Sequence, residues 1–228
     1  MIAGNASFSG SSTGITGQAT TSANGNIDVS AARDVLINST TNAANALTIT
    51  AGNLIDIQAL ATGTTINLSS SDINISSAGQ LGDFEQTNDI FIQSNGTNQA
   101  ILGGAGTTGI FSLNNDEFSR IQSNQDLTIF IAGTGSSTPD LIVQDLTVRA
   151  GDNVSGPQSA TIGFSGALTI DSGQSTRVDG NLNLANASGS TTLNMTSLND
   201  FRINANGGLI QVTDANGGFG GVGLMTLT

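Results

Sequence analysis

The chain has no cysteine, histidine, lysine, tyrosine or tryptophan in 228 residues. Without cysteine there is no disulfide framework and no thiolate chemistry. Without histidine, lysine or tyrosine, acid–base work falls to carboxylates, and nucleophilic triads of the usual types cannot be assembled. The missing lysine also excludes Lys–Asn isopeptide staples, so stability must come from packing. Cations are scarce: five arginines face fifteen Asp and two Glu, for a net charge of -12. Phosphate binding needs clustered positive charge, and no basic stripe exists, which argues against nucleic acid as a partner. No apolar run approaches the ~18 residues needed to cross a bilayer, so membrane insertion is not expected. The first residues, Met1-Ile2-Ala3-Gly4-Asn5, carry neither a basic nor an apolar stretch and do not read as a signal peptide. The expectation is either a segment of a longer exported chain or a protein made in a cytoplasm from Met1.

What remains is Ser, Thr, Asn, Gly and Ala punctuated by short Ile/Leu/Val groups. These groups return at a nearly fixed interval. Ile27, Leu47 and Ile66 follow one another at about 19–20 residues, and Val35, Ile55, Ile73 and Ile92 keep nearly the same step. Late in the chain the step returns from Ile162 to Leu182 to Phe201, and from Leu193 to Val212. Such self-similarity is the signature of a solenoid, whose repeats bury their apolar faces only by stacking. Each unit alternates apolar and polar, as in Ile27-Asp28-Val29 and Ile73-Asn74-Ile75, so the stacking element is a short strand with one buried face. Helical periodicity is missing throughout.

The sequence therefore predicts an all-β parallel β-helix with a coil of about 19–20 residues, either alone or intertwined or stacked with other chains. Two main strands per coil and about twelve coils at ~4.8 Å would give a rod near 55 Å long. Outward Asn and Thr, such as Asn67 and Asn74, either face solvent or form ladders from coil to coil. Four regions follow: 1–25, an N-terminal arm or irregular first coil; 26–80, regular coils; 81–125, irregular or elaborated coils; and 126–228, coils ending in an open C-terminal edge. Region 81–125 and its border carry five of the nine phenylalanines, at 84, 91, 111, 118 and 130, which are expected mostly to stack in the interior. A break at Gly103-Gly104-Ala105-Gly106 divides it. Pro139 and Pro157 fall between strands, where a missing N–H is harmless. An uncovered solenoid end is adhesive, so a partner chain or more of the same chain is expected beyond it.

Candidate chemistry is sparse. Asn114-Asn115-Asp116-Glu117 is the densest run of oxygen donors, so Asp116 and Glu117 are the candidate metal ligands, with Ca²⁺ as the ion. The run lacks the Asp-x-Asp-x-Asp-Gly spacing, and Gly217–Gly221 lacks the Asp of a Ca²⁺-binding nonapeptide, so a solvated loop is the simpler reading. No catalytic or cofactor-binding residue stands out. Most Asp residues precede or alternate with strand apolars, as repeat decoration would. Arg33, Arg149, Arg177 and Arg202 each lie near an Asp (34, 145, 179 and 200), which reads as surface ion pairs. Eight Asn-x-Ser/Thr sequons follow from composition alone.

The runs from Gly25 to Ile37 and from Ala46 to Ile57, of the style G-N-I-x-V-x-A-x-x-x-V-x-I, resemble the repeats of filamentous-haemagglutinin-like secreted adhesins. Asp140 to Val148 and Arg177 to Leu184 look like segments of virion fibre and tail-appendage proteins, which are made without signal peptides and often as trimers. Either resemblance implies a non-enzymatic rod, part of an extracellular surface fibre or virion. Its partners would be itself in a homo-oligomer or filament, neighbouring fibre subunits, and a cell-surface or glycan target held by multivalent contacts. The rival class is a β-helix polysaccharide-degrading enzyme, which needs carboxylates converging on successive coils; Asp56 and Asp72 form a trial pair.

Overall fold

A computed structural model describes residues 6–10, 15–17, 21–96, 99–105, 110–132, 141–149, 166–185, 192–204, 207–212 and 224–228. It is a parallel β-solenoid. Nine strands form one continuous parallel sheet, here called the spine, at Ala6–Gly10, Ile27–Ala31, Ala46–Ala51, Thr65–Ser70, Asp89–Ser94, Leu127–Ile131, Ala167–Ser172, Thr192–Ser197 and Leu224–Leu227. Eight steps between nine strands give a height of about 38 Å, shorter than a twelve-coil rod.

Strict alternation explains why these segments stack. In the strand Thr65–Ser70 every second side chain is buried, and the same parity holds in Asp89–Ser94 and Leu127–Ile131. One interior row runs through Ile27, Leu47, Ile66, Ile90, Leu127, Leu168 and Leu193, all buried. A second row passes through Val29, Ile49, Leu68, Ile92, Ile129, Ile170 and Met195. Fully burying one such side chain contributes about 1.5–3 kcal/mol, and the rows make one core run the length of the stack.

The first half has three strands per coil where two main strands were expected. A second wall holds Ile15–Gly17, Asp34–Ile37, Leu54–Ile57 and Asp72–Ile75; a third holds Thr21–Ala23, Thr41–Ala43, Leu60–Thr62 and Gln80–Leu81. The third wall buries Thr41, Ala43, Ala61 and Thr62 and carries a buried branched residue, Leu81, only in its last strand, so it lacks the regular apolar punctuation that marks the others.

Spacing departs from the period after Ile66. Its successive register partners are Ile90, Leu127, Leu168, Leu193 and Met225. Every one of these steps is longer than the repeat, and those from Ile90 to Leu127 and from Leu127 to Leu168 are about twice its length. The match in spacing between Ile73 and Ile92 is therefore a coincidence, because Ile92 pairs with Leu68 and Ile129. Leu182 pairs with Ile210, Phe201 with Thr176, and Leu193 with Met225, so the late returns of the period also link strands of different walls. Ile162, Pro139, Pro157 and Gly217–Gly221 lie outside the described residues.

In the second half both flanking walls are rebuilt. One is ordered Ser112–Leu113, Ala100–Leu102, Leu141–Val143, Thr176–Val178, Phe201–Ile203; the other is Leu146–Arg149, Asn181–Ala185, Leu209–Val212. Three described glycines, Gly82, Gly103 and Gly104, lie in the left-handed region at this changeover. Gly82 has φ 80° and Gly103 φ 86°; an added Cβ would overlap the Gln122 carbonyl oxygen at Gly82 and that of Gln144 at Gly103.

Candidate functional site

The run Asn114–Glu117 sits where the old walls stop and the new ones start. It is one short helical turn, Asn115–Phe118, the single helix among the described residues, and not a loop. Asn114 accepts from the Glu117 N–H at 3.0 Å, and Glu117 accepts in return from the Asn114 N–H at 2.9 Å. This reciprocal pair is a capping box, whose spacing (Asn, then Glu three residues on) was a legible sequence signal.

The turn seals two open sheet edges. In Asp72–Ile75, the last strand of the first second wall, the N–H groups of Asp72 and Ser76 donate back to the previous coil. Those of Ile73 and Ile75 have no following strand to reach. Ile75 N–H donates to Glu117 Oε1 at 3.1 Å, and the Ile75 carbonyl accepts from Arg120 at 3.0 Å. Ile73 N–H donates to Asp72 Oδ1 at 2.9 Å, and that oxygen also accepts from Ser112 N–H at 3.2 Å. On the opposite side Asn115 accepts from Thr147 N–H at 2.8 Å and donates to the Asp145 carbonyl at 2.7 Å. Asn115 thus stands in for a backbone peptide at the first strand of the new third wall.

Burial perturbs both carboxylates. Desolvation raises the Asp72 pKa to about 6, against the lowering effect of the two amide donors, and the Glu117 charge adds to the rise. Desolvation also raises Glu117, opposed by the Asn114 and Ile75 amides and by Arg120, while Asp116 adds to the rise. The two differ in what a proton would displace. Asp72 holds both donors on one oxygen, so a proton on the other breaks neither bond. Both Glu117 oxygens accept from backbone amides, so protonation there must displace one. Asp72 is the group suited to carry the proton.

The two candidate metal ligands sit in different settings: Asp116 is exposed, and Glu117 is buried with both oxygens accepting from amides. No group of three acidic side chains that could hold an ion occurs among the described residues. The trial pair stands at diagonal positions on adjacent strands, with both carboxylates engaged elsewhere. Asp56 accepts from Gln58 and Asn74, each at 2.6 Å, while Asp72 is in register with Leu54 and committed to the seal.

Other acidic residues have mechanical roles. Asp126 accepts from Ala167 N–H at 2.7 Å and Asp145 from Asn181 N–H at 2.9 Å, joining coil to coil at the corners. Asn53 donates to Asp34 at 3.0 Å, and Asn74 donates to Asp56, so part of the outward polar surface does form ladders. Arg177 grips Asp179 with two bonds of 2.7 and 2.6 Å and holds its carboxyl below the usual range.

Phenylalanine divides differently from expectation. Phe111 and Phe118 are buried, but Phe91 and Phe130 stand on the outer face of the spine, half-buried. Ile90/Ile92 and Ile129/Ile131 occupy the inward positions beside them, and parity leaves the two rings outside. No family model, no curated protein and no solved structure matches the chain at a significant level.

Proposed function

We propose that this chain is a non-enzymatic rod segment of an elongated surface fibre or appendage, of the secreted-adhesin or virion-fibre kind, which holds shape and makes repeated lateral contacts with its target. The observation that carries the reading is the uninterrupted nine-stranded spine. It keeps one core and one hydrogen-bonded ladder in register while the other walls change around it, as a part that transmits length and stiffness requires. The carboxylates support the same reading, being engaged in seals, corner joints and ladders. The last described coil presents Leu198, Ile203, Leu209, Met225 and Leu227 to solvent, and Leu198 is 72% exposed. A further coil, from this chain or a neighbour, would cover them.

The test is the assembled state. Light scattering with negative-stain microscopy on one sample is expected to give narrow rods associated through their ends or sides. Polysaccharide digests with the same sample are expected to release no reducing ends. Compact particles, or turnover of any polysaccharide, overturn the reading.

A further inference from the structure

The outer face of the spine carries mostly small polar side chains. One outward row reads Asp28, Thr48, Asn67, Phe91, Thr128, Thr169, Asn194; the next reads Ser30, Thr50, Ser69, Gln93, Phe130, Asp171, Thr196. Two aromatic rings interrupt these rows, on adjacent strands and at diagonal positions, since Phe91 is in register with Thr128 and Phe130 with Gln93. Diagonal neighbours across a strand pair lie about 7–8 Å apart, within reach of one another. Each ring is half-buried, so part of it stays accessible to solvent.

We propose that Phe91 and Phe130, with the flanking Asn67, Gln93 and Thr128, form a binding platform for a neutral glycan. This deepens the fibre reading, on which it rests, by naming a target class and a place. Three features select the ligand. A pyranose offers a flat C–H face that stacks on an aromatic ring, and two rings at this separation suit successive sugars of one chain. The surrounding amides and hydroxyls match a ligand whose rim is all hydroxyl. The charge is wrong for acidic polymers: none of the nine spine strands contains an arginine, while Asp89 and Asp171 stand on the platform's flanks. Sulfated or uronate chains are therefore repelled. A protein partner fits less well, because two half-buried rings among Ser, Thr and Asn give little apolar area for an interface core.

The experiment titrates the whole protein with neutral oligosaccharides of glucose, mannose, galactose and N-acetylglucosamine, and with heparin as the anionic control. Saturable binding of at least one neutral oligosaccharide and none of heparin is expected. Phe91→Thr with Phe130→Thr, which copies the residues common in these rows, should weaken binding about tenfold or more. Phe91→Tyr with Phe130→Tyr should retain it, as a check that the loss follows the rings rather than the fold. No neutral binding at millimolar ligand, or undiminished binding in the threonine variant, overturns the proposal. So does a change in assembled mass in that variant, which would make this face a contact between copies. Rods that persist in microscopy while glycan binding is absent leave the fibre reading standing and sink this one.

Discussion

The coils from Ile27 to Leu81 and those beyond Ile90 share a spine and little else. In the first set each spine strand follows the last at the repeat length, and all three walls are short strands in register. In the second the step grows to about twice that length between Leu127 and Leu168, and both flanking walls are new sheets. The spine continues through the change because its two inward rows per strand make a sufficient core whatever the other walls do. A solenoid of this kind needs one periodic wall, and the rest of each coil can lengthen once its exposed backbone edges are capped. Asp72, Glu117 and Asn115 are those caps.

Substitution in the spine is the strongest test of that equivalence. Ile49→Ala and Ile170→Ala remove the same inward row from the tight and the wide coils, and each is expected to cost about 2–5 kcal/mol in denaturant unfolding. Similar losses support a common spine; a much smaller loss at Ile170 would mean that the wide coils do not share the core. Glu117→Ala leaves the buried Ile75 amide and the half-buried Asn114 amide unpaired, at about 1–3 kcal/mol for the buried one and less for the other. Hydrogen exchange should then rise first at Asp72–Ile75 and not in the strand Leu54–Ile57 of the same wall. Gly82→Ala forces a Cβ into a left-handed residue against a carbonyl oxygen and should cost about 1–3 kcal/mol, lowering the thermal midpoint.

The smallest effect is the pH dependence of the seal. Asp72 titrates at about 6, above its ordinary 3.8, so its contribution is fully present below about pH 4 and is lost as pH rises through about 6. The charged groups around it are Glu117 and, beyond that, Arg120 and Asp116. Asp72→Asn keeps the accepting oxygen without the charge. Its thermal midpoint is expected to match the parent near pH 3.5, to exceed it increasingly up to about pH 6.5, and to keep that lead toward pH 7.5. A difference that stays constant across that range would remove Asp72 from the account.

Alternation made the spine readable, because Ile27-Asp28-Val29 and its repeats state parity and interval together. Parity would also have placed Phe91 and Phe130 outside, since each stands beside isoleucines in the inward phase. The changeover was hidden for a different reason. The long steps from Ile90 to Leu127 and from Leu127 to Leu168 are set by the length of inserted chain, which leaves no periodic mark. Leu193 and Val212 accordingly matched by distance alone while belonging to different walls. The third wall was silent because Ala and Thr fill its inward positions until Leu81 in its last strand. The Asn-x-x-Glu spacing at Asn114 and Glu117 fits a capping box, a signal that the solvated-loop reading misses, and the task of the turn depends on edges 30 to 42 residues away.

The caps also set an order of events during synthesis. The strand Ser112–Leu113 comes later in sequence than Ala100–Leu102, yet lies between it and Asp72–Ile75. Ile75 must wait for Glu117, 42 residues behind it. At ~5–20 residues per second of translation, that edge stays raw for about 2–8 seconds after it emerges. A newly made neighbour with the same open strand is at that moment an equally good mate, which makes crowded expression the condition most prone to cross-pairing between chains.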